Sequence, residues 1–270
     1  MALPLPSSLT PSKVSSFKEC ALAFRFSAID RLPEPPSPWA VKGTLVHRAL
    51  ELLFWEEPAG RRSRAAAAAR LERAWAELAG HPELVGLGLD GEAAAEFRAE
   101  AEQLLDGYFR LEDPDAVRVV GVELLLEARL GDLRLRGIID RLELDADGEL
   151  VITDYKTGRS PGASFELPRM AGVHFYAFLC EAVLGRRPAR IQLLHLAEPV
   201  AISLAPSDQS IRGLRTRAQA VWAAVERACA DEDFRPKVSR LCEFCGYKAH
   251  CPAWGGSLPG GATSLVAAAP

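Results

Sequence analysis

The chain has 270 residues, 49% of them hydrophobic, and a formal net charge of −4, enough apolar material for a substantial buried core. No apolar run reaches the length of a membrane span, and the start, MALPLPSSLTPSK, has neither the basic stretch nor the long apolar core of a secretory signal, so a cytoplasmic protein with no membrane role is expected. The acidic total argues against binding nucleic acid by bulk charge alone, yet charge is uneven, with 14 Lys and Arg against 9 Asp and Glu from Tyr155 onward.

Ser or Thr beside Pro11 supplies a helix start, and the apolar spacing predicts one helix over SLTPSKVSSFKECALAFRFSAIDRL, ended by the breaker LPEPPSPWA. A second helix is predicted over GTLVHRALELLFW, and two or three more in the Ala-, Glu- and Arg-rich stretch from about residue 62 to 110. The pattern then turns to strands: VRVVGVELLLEARL, a Gly131-Asp132 turn, LRLRGIIDRLEL, an Ala146-Asp147-Gly148 turn, and ELVITDYKT. A helix over FELPRMAGVHFYAFLCEAVLG, a strand over ARIQLLHLAEP and a helix over PSDQSIRGLRTRAQAVWAAVERACADEDF follow. This order predicts an α/β core with a mixed central sheet flanked by helices. The expected division is a helical N-terminal region at 1–110, a core at 111–235, a cysteine-rich segment at 236–254 and a disordered tail at 255–270.

The third predicted strand carries Asp154 and Lys156 two residues apart, hence on one face, with Tyr155 on the other. A three-residue loop at 146–148 sets Leu144 against Leu150, Leu142 against Ile152 and Asp140 against Asp154. Two acids directly across a strand pair repel, so this register calls for a cation. Hard carboxylate oxygens suit Mg²⁺ or Mn²⁺, with Lys156 neutralising developing charge. The same residues also fit an exposed hairpin in which Lys156 offsets two surface acids.

The string GIIDRLELDADGELVITDYKTG resembles motifs II and III of RecB-family nucleases in the PD-(D/E)XK superfamily, similar to the AddB-type and CRISPR-associated RecB-like exonucleases. The resemblance implies a restriction-endonuclease-like core. It also implies an upstream histidine in G-x-x-x-H, matched by Gly43 to His47, so that His47, Asp140 and Asp154 are metal ligands. In the helix after motif III, relatives carry Gln four residues before a Tyr; this chain keeps Tyr176, has Gly172 at the Gln position, and places His174 between them. Tyr176 therefore joins the site by resemblance. Glu123 lies where relatives often have an acid, and a solvent-facing strand Glu explains it equally well.

Of six cysteines, Cys180 and Cys229 sit in apolar runs and read as buried small hydrophobes. Cys242, Cys245 and Cys251 form C-x2-C-x5-C beside His250, a spacing that on its own favours a Cys₃His zinc site. The resemblance implies instead a [4Fe–4S] cluster completed by Cys20. It also implies a nuclease for DNA, single-stranded or at duplex ends, in repair or recombination. No G-x-x-x-x-G-K-[ST] loop is present, so any helicase would be a separate partner. Arg212, Arg215 and Arg217 fit either DNA contacts or the solvated arginines of an exposed helix. The alternatives are a non-catalytic DNA-binding module on the same fold and a zinc-stabilised protein with no DNA role.

Overall fold

The computed structural model describes residues 2–158 and 166–258, with the side chains of 166–171 left aside. The tail expected at 255–270 falls almost wholly outside them. Helices α1 (Pro11–Glu19), α2 (Ala21–Ala28), α3 (Pro38–Glu56), α4 (Arg64–Leu78), α5 (Pro82–Gly86) and α6 (Gly91–Leu111) precede the strands β1 (Arg118–Leu130), β2 (Leu133–Leu144) and β3 (Leu150–Lys156). Helix α7 (Glu166–Leu184), strands β4 (Arg190–His195) and β5 (Val200–Leu204), and helix α8 (Asp208–Asp231) follow, then short 3₁₀ turns around the last cysteines. Among the described residues no helix is long and apolar enough to cross a membrane.

The sheet has five strands in the order β1-β2-β3-β4-β5. β3 pairs antiparallel with β2 and parallel with β4, while β5 returns antiparallel to β4, so the sheet is mixed and flanked by helices as the sequence predicts. The β2–β3 register is Leu144 to Leu150, Leu142 to Ile152 and Arg141 to Thr153. The hairpin loop closes where Gly148 turns left-handed at φ +78° and its N–H donates to the Asp145 carbonyl.

Two elements differ from the sequence reading. The N-terminal helix is two helices, because Cys20 is extended at φ −158° and ψ 111° between α1 and α2. Neither Gly nor Pro stands there, so local propensity does not make this break; it turns the Cys20 sulfur toward other cysteines of the same unit. Strand β5, VAISL, was not anticipated: five largely exposed edge residues carry little periodic signal, and the strand read as ARIQLLHLAEP ends at His195.

The chain forms two compact units. One joins residues 1–35, 129–134 and 215–270, cored by Leu22, Phe24 and Phe26 of α2 with Val225 and Cys229 of α8 and with Phe234 and Tyr247. The other joins residues 36–128 and 135–214 and holds the sheet. An apolar cluster in it packs α3, α4 and α6 against Tyr155, Leu194 and Leu196. Burying the apolar stripes of these helices on the sheet is the main stabilising contribution.

β3 is buried on both faces up to Lys156. Behind the face carrying Asp154 lies a polar network that the hairpin pattern did not reveal. Fully buried Arg141 pairs with Glu112 and Glu143 and donates to the hydroxyls of Tyr155 (3.0 Å) and Thr153 (3.2 Å). Gln192 donates to Thr153 at 2.7 Å. Each polar group of this network thus has a partner, which low-dielectric surroundings demand.

Candidate active site

The backbone of Tyr155, the residue between Asp154 and Lys156, organises the site. Its N–H donates to Asp140 Oδ2 at 2.7 Å, and its carbonyl lies 3.2 Å from His47 Nε2. A carbonyl can only accept, so Nε2 is the donor and Nδ1 is the nitrogen turned toward the acids. That nitrogen is 3.6 Å from Asp140 Oδ2. The backbone of this single residue therefore orients both an imidazole and a carboxylate.

Helix α3 can come this close because Gly43, one turn before His47, has no side chain: a Cβ there would stand 3.0 Å from the Thr157 hydroxyl, just past β3. Gly137 does the same for α7, since its Cβ would press on the Tyr176 ring and on Leu179 at 3.0 Å. The glycines of G-x-x-x-H and G-x-x-D-R are spacers that let two helices reach the strand ends.

Glu123 completes the group. In β1 the exposed positions are Arg118 and Val120 before it, then Leu125, Glu127 and Arg129 after it, so the alternation changes phase across this residue. Glu123 itself has φ +45°, an uncommon state for a residue with a Cβ. This kink aims its carboxylate inward, and ligand atoms of His47, Glu123 and Asp140 all lie within 4.8 Å of one another. A solvent-facing Glu123 is thereby excluded.

Asp154 is buried and ion-paired with Lys156, whose ammonium is about half exposed. Burial, then the Asp154 charge, pushes the Asp140 carboxyl up to about 6, against the lowering influence of His47, the Tyr155 N–H and Lys156. Burial, then Asp140 and Glu51, pushes Glu123 up to about 7. Tyr176 faces the same acids: burial, then Asp154, Asp140 and Glu123, holds its phenol above the ordinary range. Three carboxylates and an imidazole converge here, with Lys156 and Arg48 as cations that partly offset them. Such a donor set fits a hard divalent cation.

The sequence-predicted residues His47, Asp140, Asp154, Lys156 and Tyr176 thus come together in one unit, and Glu123 joins them. A cavity of about 460 Å³ is lined by two of them, His47 and Glu123, together with Trp39, Gly43, Glu51 and Thr157 among others. Arg212, Arg215 and Arg217 are exposed on α8.

A family model for the PD-(D/E)XK nuclease superfamily matches residues 8–252. The chain belongs to the PD-(D/E)XK nuclease superfamily. Among solved structures, a candidate exonuclease from Eubacterium rectale shares 12% identity over 88% of this chain and 86% of its own, with a TM-score of 0.55, a likeness of fold. The structure of SSO0001 is similar at 15% identity over 78% of this chain and 84% of its own, with a TM-score of 0.37. No curated protein matches the chain.

This superfamily match runs from before Cys20 to past Cys251, so it spans a second cluster, in the other unit. Cys20, Cys242, Cys245 and Cys251 line one cavity of about 150 Å³. The backbone N–H of Lys237 donates to Cys20 Sγ and that of Ser239 to Cys242 Sγ, each at 3.4 Å. Burial, and then the other three thiols, raise the Cys251 thiol, while the Ala253 N–H lowers it. Among the described residues no three of these sulfurs lie within 4.8 Å of one another.

Proposed function

We propose that the chain is a metal-dependent deoxyribonuclease of the RecB-like branch, acting on single-stranded DNA or duplex ends as an exonuclease in repair or recombination, alone or beside a separate helicase. The observation that carries this reading is the convergence of His47, Glu123 and Asp140 at the end of the strand bearing Asp154 and Lys156. His47, Asp140 and Asp154 are the ligands we assign to Mg²⁺ or Mn²⁺, with Glu123 added by its inward aim. Such an ion supplies Lewis-acid polarisation of the scissile phosphate. Lys156 places an ammonium at the rim of the acids, where it meets negative charge developing on that phosphate. The Tyr155 backbone holds His47 and Asp140 in place, and Tyr176 packs closely over Gly137 beside the acids.

End-labelled single- and double-stranded DNA, digested with and without Mg²⁺ or Mn²⁺, tests this reading. Cleavage is expected only with the metal and should be abolished in Asp154→Asn and Lys156→Ala. Cleavage without a metal, or undiminished in either variant, overturns the assignment.

For the cysteines, the reading that fits best is a [4Fe–4S] cluster held by Cys20, Cys242, Cys245 and Cys251. Four thiols around one cavity, two of them accepting backbone N–H groups, suit cluster ligation. The cluster's role is structural, since phosphodiester hydrolysis transfers no electrons. Anaerobically purified protein should be brown with about four iron and four sulfide per chain, as four-cysteine ligation implies. Colourless protein with one zinc would replace the cluster with a zinc clamp.

A further inference from the structure

The catalytic cavity has an aromatic wall that the chemistry above does not use. Trp39, in the first turn of α3, is 76% exposed and lines the same cavity as His47, Glu51 and Glu123. An indole so exposed gains little for the fold, because most of its apolar surface stays in water. Yet its position is fixed: the buried Lys42, one turn on, sets its ammonium 5.2 Å from the Trp39 ring centre and 5.0 Å from the Phe97 ring centre. Lys42 is itself anchored by an ion pair with Glu100. A cation against the indole favours this orientation of the ring, which keeps exposed surface on the cavity side.

Trp39, Gly43, His47 and Glu51 follow one another at intervals of four along α3, and all four line the cavity. Between the indole and the imidazole lies only Gly43, so no side chain on this row blocks the path. Two turns of helix separate Trp39 from His47, about 12 Å along the axis at ~1.5 Å per residue. A strand covers that span in roughly two to four nucleotides at ~3.4 Å or more each.

Resting on the nuclease reading, we infer that Trp39 is a base-stacking platform that seats an unpaired nucleobase a few nucleotides from the scissile phosphate. The indole presents a flat apolar face, and every base has a complementary one, so the contact takes any sequence but requires the base to be out of a duplex. It thereby selects single-stranded DNA, or the frayed strand of a duplex end. Trp55, on the same helix, is also 76% exposed but does not line the cavity, and it provides the control.

The test compares steady-state cleavage by the wild type, Trp39→Ala, Trp39→Phe and Trp55→Ala on single-stranded oligonucleotides, normal or with consecutive abasic sites beside the cut. Loss of one stacked base, worth ~1–3 kcal/mol, corresponds to roughly a 5- to 150-fold change. Trp39→Ala should raise KM by that factor and erase the wild type's preference for normal over abasic DNA. Trp39→Phe should keep most of both, and Trp55→Ala should match the wild type. Unchanged KM and abasic preference in Trp39→Ala, with the wild type active, overturns the platform while leaving the nuclease intact. Equal losses in Trp39→Ala and Trp55→Ala would overturn it too, reducing the effect to a general surface change. A wild type that cuts no DNA with either metal overturns the nuclease reading, and the platform with it.

Discussion

Replacing Arg141 with Met should be among the most damaging single changes in the sheet unit. Arg141 is fully buried, pairs with Glu112 and Glu143, and donates to the Tyr155, Thr153 and Tyr108 hydroxyls while its guanidinium lies 4.6 Å from the Phe54 ring centre. Met keeps the packing against Phe54 but removes the charge, leaving Glu143 buried between Thr153 and Gln192 without a cation. Removing one partner of a buried ion pair costs about 3–5 kcal/mol. Against a total stability of about 5–15 kcal/mol this is a large share, and it moves a urea midpoint by about 1–3 M. Burial already raises the Glu143 carboxyl, opposed by Arg141, so the variant raises it further. A carboxyl whose pKa is higher folded than unfolded takes up a proton on folding. Its penalty is therefore small below the unfolded value, near 4.5, and grows as pH rises toward the folded value. Urea unfolding followed by circular dichroism at pH 5 and pH 8 measures both effects. Adding Glu143→Gln to the variant should recover stability at pH 8. A midpoint shift under 0.5 M at pH 8, or one independent of pH, would refute the account, including the claim that this network supports the strand behind Asp154.

Gly107→Ala in α6 should also destabilise strongly, because its Cβ would lie 1.9 Å from the Leu196 carbonyl oxygen, where backbone must move; a melting temperature within two degrees of wild type would contradict the close approach. Metal binding should strengthen as pH rises, since Asp140 at about 6 and Glu123 at about 7 must lose protons to act as ligands. Calorimetric titration with Mn²⁺ between pH 5.5 and 8 should show rising affinity and protons released, and a flat profile would remove these acids from the site. Both carboxyls have raised values in the fold, so the metal-free protein should lose stability as pH rises from about 4 through 7, and added metal should restore it. Cys20→Ser should lose iron and melt earlier. A ligand set joining residue 20 to residue 242 closes a loop of over 200 residues, worth about 5 kcal/mol by analogy with a disulfide. A Cys20→Ser protein that melts with the wild type would refute the clamp.

Much of the catalytic strand is legible from local pattern. Alternation in LRLRGIIDRLEL and ELVITDYKT, with one left-handed glycine in the loop, is enough to set the β2–β3 register and to bring Asp140 near Asp154, because a hairpin's pairing follows from its turn and its apolar face. The break at Cys20 is different. Nothing in FKECALAF opposes a continuous helix, and the chain departs from it only where residues more than 200 positions away gather around the sulfur. Glu123 is likewise decided by the tertiary structure, since a phase change in a strand rests on one backbone angle, and the residue with φ +45° is a glutamate rather than the glycine that would have announced it. The orientation of the His47 ring needs the Tyr155 carbonyl, 108 residues further on. The buried network of Arg141 escaped the sequence for a physical reason of the same kind: an arginine on an alternating strand reads as solvent-facing until α6 supplies Glu112 and Tyr108 to cover it. Short-range pattern sets which residues share a strand face; which faces meet, and what charge they enclose, depends on contacts that only the folded chain makes.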